Sequence, residues 1–191
     1  MRIERWTTAA AANARAVLVA CALLATILSG CAKPRAAPDH TLVQVPGIRG
    51  KLVGSSPAGD RIQLVFEPGA EIVSALSSFI TSNRLVAVNF DGFGACSDAK
   101  FAWYDAQRRD YKITSLNEHM EVVSLIGDAA PTDDKVGFHA HVGLGMEDGT
   151  MRGGHLLEAH VYPTLEVFLV SSPTPIHRRH DDVLNSNLLV P

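Results

Sequence analysis

The stretch that most constrains this fold runs from Val136 to Val161. Two strand-like segments, Val136–Met146 and Met151–Val161, flank Glu147-Asp148-Gly149-Thr150. Apolar alternation marks strands, and an Asp-Gly turn between two such runs marks a β-hairpin. A hairpin this long needs further strands to cover its apolar face. Candidates lie on both sides: Ile62–Phe66, Leu85–Phe90, Ala99–Tyr104, Asp110–Thr114, Met120–Gly127 and Leu165–Val170. Asp91-Gly92-Phe93-Gly94 reads as a bend or bulge, Asp128–Asp134 as a turn cluster, and Pro163 as an interruption. One segment alone has helical spacing. Ile72, Ala75, Leu76, Phe79 and Ile80 recur from Glu71 to about Ser82, with Glu71 in the first turn, where the helix dipole favours an anion. The expected class is α+β (mixed α/β), a single domain built on a mostly antiparallel sheet with one main helix.

The 191 residues suffice for one domain. Arg2, Arg5 and Arg15 accompany a twelve-residue apolar run, Ala16–Ile27. A spanning helix needs about 20 apolar residues, so this run fits the core of a secretory signal instead. Leu28-Ser29-Gly30-Cys31 follows and resembles the bacterial lipobox, whose Cys carries the lipid. Several acyl chains on one Cys exceed what stable anchoring requires. The expected layout is a lipoprotein signal peptide at 1–30, a flexible tether at 31–57, a domain at 58–187 and a tail at 188–191. Lipidation falls on Cys31, and the expected location is the bacterial cell envelope, periplasmic or outer face, held to the membrane by that lipid. A short strand is expected in the tether near Leu42–Val45. Losing the leader's three Arg and one Glu leaves 14 basic and 19 acidic residues, a formal net charge of −5. Such a balance argues against a nucleic-acid partner. Cys96 then remains as the one unmodified thiol, so no intramolecular disulfide forms.

Chemistry concentrates in Phe138-His139-Ala140-His141 and Gly153-Gly154-His155. Residues two apart on a strand face the same side, so His139 and His141 project together. A third imidazole from the neighbouring strand would complete a three-His site for zinc or a similar divalent ion, with an open position. The hairpin decides whether His155 is that third group. A two-residue turn at Asp148-Gly149 sets His155 opposite Val142, facing away from His141. A three-residue loop, Glu147–Gly149, or a bulge at Gly153-Gly154 sets it opposite His141. Gly153-Gly154 also lets neighbouring backbone approach closely. The alternative for the His-x-His pair is a partly exposed polar face. His160 lies an odd number of residues beyond His155 and on a regular strand faces the other way. His177-Arg178-Arg179-His180 reads as a solvated charged stretch, since Arg repels a bound cation. His119 and Glu158 are candidates to support the site.

Residues 61 to about 187 resemble the plant and prokaryote conserved domain. The matching stretches are Phe66–Ile72, Gly92–Ala95, Trp103–Asp105, Glu121–Gly127 and above all His139–Leu169. The resemblance implies a compact domain with a mainly antiparallel sheet of about seven strands, assembled as a homotrimer. It also implies metal-ligand roles for His139, His141 and His155. Members are often labelled as carrying a DNA-binding motif, but the Arg-Gly-Arg hook of plant members is missing here. Three functions follow for comparison. One is an envelope-anchored, trimeric metal-binding domain that takes a small, unidentified ligand. Another is a metal-dependent hydrolase with Glu158 or Glu121 as base. The last is DNA binding, as the family label suggests. No G-x-S-x-G elbow, Walker A motif or G-x-G-x-x-G loop is present.

Overall fold

The computed structural model describes residues 41–131 and 136–190. The signal peptide, Cys31 and the first part of the tether lie outside the described residues. Among the described residues nine strands and one helix follow in chain order. They are β1 (Ile48–Ser56), β2 (Gly59–Phe66), α1 (Ile72–Ser82), β3 (Val88–Asp105), β4 (Asp110–Leu116), β5 (Met120–Pro131), β6 (Val136–Gly145), β7 (Met151–Ser171), β8 (His177–Asp181) and β9 (Ser186–Val190). The first seven strands form one antiparallel sheet in the order β1-β2-β7-β6-β5-β3-β4, and β8-β9 form a separate hairpin.

The α+β expectation is overturned. Among the described residues strand makes up 66% and the one helix 8%, a sheet-dominated fold in one domain. The difference has a physical cause. Segments read as separate short strands are continuous. Leu85–Phe90 and Ala99–Tyr104 belong largely to the 18-residue β3, whose pairing shifts at Gly92/Gly94. A bulge bends a strand without ending it. Likewise β7 runs through Pro163 for 21 residues. Residues 48–56, read as tether, pair with β2; beyond Ser171, where the sequence suggests one short strand at Leu188–Val190 in an otherwise irregular stretch, β9 covers that strand and β8 pairs with it. Near Leu42–Val45 there is no strand, only an isolated bridge from Val45 to Ile48.

Strand β7 organises the sheet. It pairs with β6 through Met151–His155, with β2 through Leu165–Val170, and with β3 along most of its length. The path β3–β5–β6–β7 therefore returns to β3, and its inner face closes on a core. Helix α1 packs against that core through Ile72, Leu76, Phe79 and Ile80, all essentially inaccessible. Each such side chain stabilises the fold by about 1.5–3 kcal/mol relative to exposure. Glu71 caps the helix, its carboxylate accepting from Val73 N at 3.0 Å and Ser74 N at 2.7 Å. This satisfies two of the four orphan donors of the first turn.

Candidate metal centre

The β6–β7 turn sets the site. Met146 N donates to Thr150 O at 2.9 Å, and Gly149 N to Met146 O at 2.9 Å, so the loop is the three residues Glu147–Gly149. Gly149 adopts φ +79°, the left-handed conformation such a loop needs. Asp148 Oδ1 braces it by accepting from Thr150 N at 2.9 Å and Thr150 Oγ1 at 2.6 Å, which holds the Asp148 carboxyl below its ordinary pKa. The register that follows places His141 opposite His155. No bulge is used at Gly153-Gly154. Those glycines serve close approach instead: a Cβ on Gly153 would lie 2.0 Å from Val142 O, and one on Gly154 2.5 Å from Ala102 O.

On β6, Ala140 and Val142 are buried while His139 and His141 point out. His155 joins them from β7. Ring centroids stand 5.3 Å apart for His139–His141, 5.1 Å for His139–His155 and 5.6 Å for His141–His155. One nitrogen from each ring lies within 4.8 Å of the other two. A tetrahedral ion with bonds of ~2.0–2.1 Å holds its nitrogens about 3.4 Å apart, so the rings must close in slightly around it. Burial pushes the His155 pKa down to about 4, helped by His139, His141 and Arg178. Burial and Arg178 also lower His139, while Asp128 opposes them. Neutral imidazole is the ligating form. The donor set, its convergence and the lowered pKa values of His139 and His155 fit a divalent ion with an open position.

Two neighbours were not anticipated. Tyr111 on β4 lays its ring 5.2 Å from His155 and 5.3 Å from Tyr104. Arg178 is not solvated: its side chain is 5% exposed and ion-paired with Asp128, the cross-strand partner of His139. Neither the charge run 177–180 nor the apparent turn at Asp128 announces this, because the pairing joins residues fifty apart.

The remaining candidates go elsewhere. Glu158 faces Lys100 at 4.0 Å. His119 lies 3.9 Å from Glu121 and edge-on to Tyr162. His160 faces outward, against its odd-step parity, because the β3–β7 pairing shifts between Lys100/Glu158 and Phe101/Leu156. That shift leaves Leu157 as an extra residue and restores the facing. His160 Nδ1 bonds Asp98 at 2.8 Å and stands outside the three-His group. Cys96 is buried, and burial followed by Asp98 and Glu121 raises its pKa to about 11, so it is a packed thiol rather than a nucleophile.

The model of the Plants and Prokaryotes Conserved (PCC) domain matches residues 53–173, which include all three histidines. The chain belongs to this family. Solved structures agree with the fold. A metal-containing protein from Archaeoglobus fulgidus is 29% identical with a TM-score of 0.65, covering 70% of this chain and 95% of its own. A plant- and prokaryote-conserved protein from Pyrococcus horikoshii is 27% identical with a TM-score of 0.64, covering 68% of this chain and 91% of its own. A Bacteroides thetaiotaomicron protein, named as a candidate DNA-binding protein, superposes with a TM-score of 0.69 at 23% identity, covering 75% and 97%. The curated proteins contain no significant match.

Proposed function

We propose that this PCC-domain protein is an envelope-anchored homotrimer that holds a zinc-like divalent ion on His139, His141 and His155 and presents its open position to a small ligand. The observation that carries the reading is the convergence of three imidazoles from two strands, set by a three-residue loop. The description of the A. fulgidus relative as metal-containing supports it. When bound, the ion would supply a Lewis-acidic position for an oxygen or nitrogen donor. The chain's own part is to hold three neutral imidazoles on a rigid hairpin. The two carboxylates considered as bases, Glu121 and Glu158, contact His119 and Lys100 rather than the three histidines.

Metal analysis of the purified chain tests the site. About one equivalent of divalent ion per chain is expected, with a loss of affinity of a hundredfold or so when His141 is replaced by Ala. Wild type and His141→Ala holding equal metal would overturn the reading. The anchor rests on Leu28-Ser29-Gly30-Cys31. Cys31→Ser is expected to release the protein from membranes, with an acyl adduct found by mass spectrometry on wild type alone.

A further inference from the structure

The hairpin β8–β9 is tied down at two points beside the three histidines. Tyr104 donates its hydroxyl to Leu184 O in the β8–β9 turn at 2.6 Å, and Tyr104 leads through Tyr111 to His155. At the other point Arg178 of β8 pairs with Asp128, which sits across the strand from His139. The two tethers thus lie on the His155 and His139 sides of the cluster. Arg178 carries five N–H donors. One nitrogen is taken by Asp128 and another donates to Asn187 O at 3.0 Å, but Nε is buried with no partner among the described residues. Buried donors of this kind are normally satisfied by a ligand or a bound water. The charges point the same way. Arg178 and Asp128 cancel, so three neutral histidines with a divalent ion leave a surplus of two positive charges in a partly covered site. An anion is the complement of that surplus.

We propose that Arg178 is the anion-recognising group of this site, and that the ligand is a small carboxylate bound jointly by the His-held ion and the guanidinium, under the β8–β9 hairpin. The assignment rests on the three-His reading. Asp128 acts as a positioning residue that holds the guanidinium over the outer face beside His139. The unpartnered Nε–H and the guanidinium charge favour a carboxylate over the corresponding neutral amide.

Cobalt(II) loaded into the full chain gives a test with separable arms. Its visible absorption reads metal binding, and titration with acetate, lactate and lactamide reads ligand binding. Wild type is expected to take one cobalt and to shift its spectrum with the two carboxylates but not with the amide. Arg178→Gln is expected to keep cobalt affinity and weaken lactate by about tenfold or more, with Arg178→Lys between the two. Tyr104→Phe, which loosens the hairpin without removing the charge, is expected to weaken lactate less than Arg178→Gln. If wild type binds cobalt and ignores carboxylates, the Arg178 assignment fails and the metal site stands. If Arg178→Gln loses cobalt as much as lactate, the residue is structural and the assignment also fails. A wild type that takes no cobalt overturns the metal reading itself, and this inference with it.

Discussion

At the scale of single residues the two histidine environments on β7 have opposite signs. His155 is held down to about 4, first by burial and then by its neighbours. An unfolded chain takes a proton on that histidine near pH 6.5, while the folded one refuses it until about pH 4. The metal-free fold should therefore have its full stability above pH 6.5 and lose some as pH falls toward 4. Thermal melts across that window should show the loss, and His155→Ala should flatten it. His139 and His141 are exposed on that outward face, so in the metal-free protein replacing either by Ala should leave the melt at pH 7 within about 0.5 kcal/mol of wild type. His160 behaves oppositely. Its hydrogen bond to Asp98 raises its pKa above the ordinary value against the opposing cost of burial, with lesser help from the Asp98, Glu158 and Glu71 charges. Its contribution is complete below pH 6.5 and fades as pH rises through the folded value. Asp98→Asn should bring the His160 pKa down toward 6.5, read by NMR titration of the ring. An unchanged titration would mean the pair does not form.

Among the elements, the β6–β7 hairpin is where sequence and structure meet most closely. Its loop length, its facing and the approach at Gly153 are all local properties, and local chemistry of the turn specifies them. Gly153→Ala tests this. A Cβ 2.0 Å from Val142 O meets backbone, which cannot rotate away, so β6 and β7 must part. The expected cost is about 1–3 kcal/mol in denaturant unfolding, together with loss of metal binding as His141 and His155 separate. Helix α1 is legible in its apolar spacing, whereas Glu71, expected inside the first turn, stands one residue before it as the N-cap. What stayed hidden depends on distant partners. Segment 48–56 has little apolar alternation, and only pairing to β2 makes it a strand. The shift that turns His160 outward arises from fitting β7 to β3, sixty residues away. Arg178 looked solvated because its carboxylate lies on β5, and no periodicity in 177–180 records that contact.

For the whole molecule the sheet's outer face is the remaining surface to account for. Ile126 on β5 lies opposite Asp91 on β3, which lies opposite Phe168 on β7, while Phe93 stacks on Phe168 at 6.5 Å. Ile126 is 60% exposed, Phe93 53%, Val170 50% and Phe168 39%. Four large apolar side chains exposed around Asp91 on one sheet face form a candidate contact surface. Strands β1 and β4 also leave open edges at the ends of the sheet order, which subunit packing is one way to cover. Chromosomal DNA is a poor occupant for such a face. With a formal charge of −5 over residues 31–191, any DNA binding should vanish by physiological salt in a gel shift, and a salt-resistant, sequence-selective complex would reverse that conclusion. A second and third copy of the chain suit the face better, because two aromatic rings and two branched aliphatics need a dry partner. The proposed trimer should therefore persist at tens of micromolar in light scattering. Phe168→Glu places a charge in the patch without touching the core, since Phe168 alternates with the buried Val167 and Leu169. It should yield a monomer with an unchanged far-UV spectrum and, because all three histidines come from one chain, an intact metal site. A wild-type monomer at that concentration, or a Phe168→Glu protein of undiminished mass, would remove this face as the subunit contact.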